Sequence, residues 1–108
     1  EGEPLPSVAL RPGSPRQLRL RLPIAVEINP DAPSWIQWND TPLPFKLLSP
    51  HLLEVSLPEA GQGRLSLGLY VCTKAQKSLC FLWAYELMVE EGGEAAAVEI
   101  ALPEKVMG

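Results

Sequence analysis

Residues 64–89 read RLSLGLYVCTKAQKSLCFLWAYELMV, and the rest of the chain is most readily understood outward from them. Leu65, Leu67, Leu69 and Val71 alternate with Arg64, Ser66, Gly68 and Tyr70, the period-two pattern of a strand with one buried face. After a polar loop at residues 73–78, the alternation resumes with Phe81, Trp83, Tyr85, Leu87 and Val89. Setting Cys72 opposite Cys80 opposes Val71 to Phe81, Leu69 to Trp83, Leu67 to Tyr85 and Leu65 to Leu87, all apolar or aromatic. The other face then pairs Gly68 with Ala84, Ser66 with Glu86 and Arg64 with Met88. A slip of one residue would oppose buried to exposed positions along the whole ladder, so the apolar pattern and the cysteines select the same register. The expectation is a β-hairpin closed by a Cys72–Cys80 disulfide.

Composition narrows the class around this hairpin. A chain of 108 residues, 46% hydrophobic and 20% charged, is one domain of ordinary globular make-up. A net charge of −4 gives no electrostatic footprint for nucleic acid. No apolar run approaches the roughly 20 residues of a membrane-spanning helix. Twelve prolines spread along the length leave only two windows for a helix, around Ala75 and at residues 94–97. The chain opens on Glu1 with no charged-then-apolar leader, so it reads as a mature secreted chain or, preferably, a piece excised from a longer one. A disulfide favours an extracytoplasmic compartment; the cytoplasm of a thermophile is the alternative, which scarce Asn and abundant loop Pro would suit.

Taken in order, residues 1–6 read as a linker or entry arm and residues 7–10 as a short edge strand. Leu18, Leu20, Leu22, Ile24, Val26 and Ile28 all fall at even positions, which predicts one long half-buried strand over residues 18–28, at an edge or bulged where Pro23 lacks a donor. That Leu-rich edge is a candidate for homodimerisation by strand pairing. A turn at residues 29–34, a short strand at 35–38, a second turn at 39–42 and an apolar segment at 45–48 follow. Leu53, Val55 and Leu57 mark another strand, and Val98, Ile100 and Leu102 the last. Residues 79–84 are apolar on both faces, which suits a central strand or an inter-sheet position. About seven or eight short strands between regular turn signals predict an all-β, immunoglobulin-like, two-sheet antiparallel sandwich.

Few residues offer chemistry. Cys72 and Cys80 are too far apart in sequence for a thioredoxin-type or zinc-knuckle motif, and with His51 the single histidine no structural metal site is expected. His51 lies in a proline-flanked turn, a poor setting for a catalytic triad. Lys74 and Lys77 are the cations nearest the cysteines. Glu90, Glu91 and Glu94 read as a solvated hairpin tip. Trp35 and Trp38, three residues apart on a strand, place one indole inward and one outward, where it could serve a ligand or partner.

The run LRLRLPIAVEINPDAPS, followed after a gap by GLYVCTKAQKSLCFLWAYELMV, resembles the carboxy-terminal β-domain of proteins that join a thioredoxin-like domain to an NHL-repeat propeller. The resemblance rests on Leu18, Leu20, Leu22 and Pro23, on Asn29, Ala32, Pro33 and Ser34 in the turn, and on Tyr70, Cys72 and Cys80; Val71 departs from the aromatic that family carries before its first cysteine. A weaker similarity is to the amino-terminal domain of the Dsb-system thiol:disulfide interchange reductase. The resemblance implies a non-catalytic accessory or protein-interaction domain without a cofactor, whose partners are other domains of the same protein or a thioredoxin-like protein. The alternatives are a thiol-disulfide exchange domain using Cys72 and Cys80, and a ligand-binding sandwich using Trp35 or Trp38.

Overall fold

The computed structural model describes residues 2–13, 15–76 and 79–105. Glu1 of the expected arm and Lys77 lie outside the described residues. In chain order the strands are β1 (Glu3–Pro4), β2 (Val8–Leu10), β3 (Arg16–Arg21), β4 (Val26–Ile28), β5 (Trp35–Trp38), β6 (Thr41–Leu43), β7 (Phe45–Ser49), β8 (Leu52–Leu57), β9 (Gly63–Thr73), β10 (Cys80–Glu91) and β11 (Ala97–Ala101). They form two sheets, one ordered β1-β10-β9-β5-β6 with β2 also on β10 and β4 also on β9, the other β11-β3-β8-β7. The fold is an all-β, two-sheet sandwich, and no helix forms at either window among the described residues.

The β9–β10 hairpin has the register expected of it, from Cys72 opposite Cys80 to Leu65 opposite Leu87. Its odd-numbered residues from Leu65 to Val71 and from Trp83 to Val89 are buried. They meet Leu18, Leu20, Leu53 and Val55 of the other sheet in one core. Two sheets laid face to face hide these alternating apolar residues together.

Four features depart from the sequence reading. The long strand at residues 18–28 is two strands in two sheets: β3 lies between β11 and β8, whereas β4 pairs with β9. The alternation runs through the crossing unbroken, because Leu22 and Val26 both point into the shared core while Ile24 is turned out and 81% exposed. β3 therefore offers no free edge for dimerisation. The arm at residues 1–6 contains β1, which pairs in parallel with Tyr85 and Glu86; β2 follows it in parallel along Val89, Glu90 and Glu91. With β11 parallel to β3, both sheets are mixed rather than antiparallel. Eleven strands among the described residues replace the seven or eight expected, because residues 18–28 divide into β3 and β4 and because β1 and β6 form within the expected arm and turn. Finally, Glu90 and Glu91 belong to β10 rather than to a hairpin tip, and Glu91 Oε2 accepts the Gly61 amide at 2.6 Å.

Local chemistry explains the connections. Asn39 and Asp40 both have positive φ, 49° and 68°, the two-residue turn whose twist matches a hairpin. Asn29 Oδ1 accepts the Asp31 amide at 3.0 Å, the expected Asx turn. Where the chain leaves β9 between β4 and β5, Ser34 Oγ accepts the Tyr70 amide at 2.9 Å and Asn29 donates to the Tyr70 carbonyl at 2.8 Å, so the excursion leaves neither group unpaired. Tyr85 anchors the carboxy-terminal segment by donating to the Pro103 carbonyl at 2.7 Å. Burial, aided by Glu3, pushes its phenol well above the ordinary range.

Candidate functional site: the outer face of the first sheet

Because β9 and β10 bury their odd residues, their even residues form the outer face. Opposed pairs there are Cys72 with Cys80, Tyr70 with Leu82, Gly68 with Ala84, Ser66 with Glu86 and Arg64 with Met88. β5 extends the face with Trp35 opposite Gly68 and Gln37 opposite Ser66, and β4 with Glu27 opposite Cys72. The face divides into two halves. Towards Arg64, whose guanidinium pairs with Asp40 at 2.8 Å, it is polar except for the exposed Met88. Towards the disulfide it carries two exposed apolar side chains, Trp35 at 40% and Leu82 at 49%. Between Trp35 and β10 lies a groove of about 310 Å³ that reaches Leu82, Ala84 and Glu86.

Two glycines set the two indoles. A Cβ on Gly68 would come within 2.5 Å of the Trp35 ring, and one on Gly63 within 2.4 Å of the Trp38 ring. Each indole therefore lies in the space a side chain of β9 would fill. Trp38 is buried on the core side and Trp35 is the outward one, which decides what their spacing left open. Gly68→Ala is expected to push the Trp35 indole off β9 at a loss of about 1 kcal/mol, read as a red shift in tryptophan emission together with a lower denaturant midpoint.

Cys72 and Cys80 are bonded to each other. Cys72 is half-buried and Cys80 exposed, so the bond lies on the accessible face. Glu27 is the registered neighbour of Cys72 on β4. Lys74 is exposed and follows β9, its amide bonded to the Ala25 carbonyl at 3.1 Å. Replacing both cysteines by alanine is expected to cost about 2 to 3 kcal/mol by loop entropy without changing the register, which the buried odd residues hold. Urea unfolding gives the loss, and cross-strand nuclear Overhauser effects report the register.

β10 also has an open stretch of edge. Its even residues direct their backbone groups away from β9: the Glu86 carbonyl accepts the Leu5 amide at 2.8 Å, and the Ala84 carbonyl accepts Lys105 Nζ at 3.0 Å. β1 begins at Tyr85, and among the described residues no strand pairs with this edge at Leu82. Residues 80–84 therefore pair only with β9 among the described residues, an edge rather than the central strand or inter-sheet position that their apolar faces suit.

His51 is set apart from this face. Its Nδ1 lies 3.0 Å from the Val26 carbonyl, an arrangement that orients the ring by backbone rather than by a carboxylate. Among the described residues no three His, Cys, Asp or Glu cluster as metal ligands. Sequence reasoning did not single out Leu82 or the edge beside it. The one available signal was an apolar residue in the outward phase of the hairpin. No family model matches the chain, and no curated protein matches it.

Proposed function

We propose that this chain is a non-catalytic protein-interaction domain of immunoglobulin-like type that binds its partner through the apolar half of the outer face, with the Cys72–Cys80 disulfide as a structural staple. The observation that carries this reading is the coincidence of exposed Trp35 and Leu82 with a β10 edge that, at Leu82, no strand pairs with among the described residues. An extended apolar segment of the partner adds to that edge, its backbone bonding Leu82 and its side chains packing beside Leu82 and Trp35. The same edge already takes β1 and β2 in this way. The resemblance to the β-domain of thioredoxin-like/NHL-repeat proteins supports an accessory role, with the partner a thioredoxin-like domain of the same or another protein.

A test is amide-shift mapping of the labelled chain on addition of a reduced thioredoxin-like protein. Shifts are expected at the Trp35 indole and the Leu82 amide, and they vanish in Leu82→Pro. That substitution removes an N–H directed away from β9, so the hairpin ladder survives it. Shifts confined elsewhere, or unchanged in Leu82→Pro, would sink the reading.

Exposure of Cys80 favours a second reading, in which an incoming thiolate attacks the Cys80 sulfur and releases Cys72 as the thiolate, a second thiol of the dithiol reductant completing the exchange. The reduction potential separates the two. Below about −300 mV the bond is a staple; near the potentials of cellular oxidoreductases it is an exchange centre.

A further inference from the structure

The groove between Trp35 and β10 holds polar groups that the packing of an apolar segment would not use. Gln37, Ser66 and Glu86 line it and form one row across β5, β9 and β10, next to the row that holds Trp35 and Ala84. All three side chains of that row are half-buried. Among the described residues none of them has a hydrogen-bond or ion-pair partner. Two further charges line the groove, and they compensate each other, since the Arg64 guanidinium pairs with Asp40 at 2.8 Å. The charge left uncompensated there is that of Glu86.

Charge, shape and reach select the same occupant. A cation is drawn to Glu86, and the exposed Trp35 indole, seated over Gly68, offers it a flat aromatic face. An ammonium would use the carboxylate as a point charge only. A guanidinium is planar, stacks on an aromatic ring and presents several donors in one plane, which suits a carboxylate flanked by the acceptors of Ser66 and Gln37. A segment added to the open edge lies about 5 Å to the far side of β10, so only a long side chain crosses β10 into the groove.

We propose, resting on the docking at the β10 edge described above, that an arginine side chain of the docked segment enters this groove, its guanidinium lying on the Trp35 indole and bonded to the Glu86 carboxylate. The isotope-labelled full chain is titrated with a capped hexapeptide of valine and threonine carrying one central arginine, and with the same peptide carrying lysine or citrulline, which has the shape of arginine without its charge. Amide and indole shifts give each affinity. The arginine peptide is expected to shift the Trp35 indole and to bind about tenfold more tightly than the citrulline peptide, with lysine between them. Glu86→Gln removes that tenfold and leaves the affinity for citrulline as it was. Its thermal transition stays that of the wild type, because Glu86 is on the outer face and has no partner to lose. Equal affinities for arginine and citrulline overturn the proposal, as do a preference that survives Glu86→Gln, a lysine peptide as tight as the arginine one, or no binding up to millimolar peptide. The docking reading fails separately. Shifts at Leu82 without a preference for arginine keep the edge docking and overturn the arginine groove; a Glu86-dependent preference for arginine that Leu82→Pro leaves untouched keeps the groove and sinks the edge docking.

Discussion

Arg16→Ala is expected to destabilise the domain by about 3 to 5 kcal/mol, more than any other single change at a charged residue. Arg16 is the one charged side chain that is wholly buried among the described residues. Its Nε donates to the Pro58 carbonyl at 2.6 Å and its Nη2 to the Gly61 carbonyl at 3.1 Å, so it fastens the β8–β9 connection onto the start of β3. That connection is held again by Gly13, which donates to the Glu59 carbonyl at 2.8 Å, and by the carboxylate of Glu91 on the Gly61 amide. Alanine would leave a cavity of several heavy atoms where Arg16 is wholly buried and take the donors from the Pro58 and Gly61 carbonyls. Methionine would fill the space and also remove Nη1, which is buried with no partner among the described residues. Replacing a buried charge by an apolar chain of similar volume is often close to neutral. Arg16→Met is therefore expected to cost less than half of what Arg16→Ala costs, by urea midpoints at constant m. Equal losses would mean that the two hydrogen bonds, and not the packing, hold the connection.

Arg16 was in plain sight in the sequence. It shares the even phase of Leu18, Leu20 and Leu22, so the periodicity that marked those residues as buried marked it as well. Its charge argued the other way, and only the two carbonyls supplied by a connection more than forty residues away resolve the conflict. The hairpin was legible for the opposite reason. Its two strands are joined by a short loop, both carry the alternation, and a covalent pin marks one rung. Between residues 18 and 28 the same alternation misled, because periodicity records which way a side chain points and not which sheet its backbone has joined. The strands β2 and β11 were legible as strands, but that they and β1 pair in parallel had no local signal. A parallel pairing has no turn, and its partner lies far along the chain.

Trp83→Ala is expected to cost about 3 to 5 kcal/mol, the range for deleting an aromatic side chain from a packed core. Trp83 is among the largest side chains in that core, opposite Leu69 at the middle of the hairpin. Trp83→Phe separates its packing from its polarity. Nε1 is buried with no hydrogen-bond partner among the described residues, and an unsatisfied donor of this kind is itself unfavourable by about 1 to 3 kcal/mol. Phenylalanine removes that donor while keeping an aromatic ring, so the smaller void is largely offset and a loss of about 1 kcal/mol is expected. A loss as large as alanine's would show that the indole N–H has a partner in solution, a buried water being the obvious one. The neighbouring residue provides the control. Leu82 lies one position away on the opposite face, and Leu82→Ala is expected to stay within about 0.5 kcal/mol of the wild type. Two adjacent apolar residues would then differ severalfold in what they contribute to folding. The residue that contributes little to stability is the one the interaction reading requires for binding, so Leu82→Ala reports on the partner with the fold left intact.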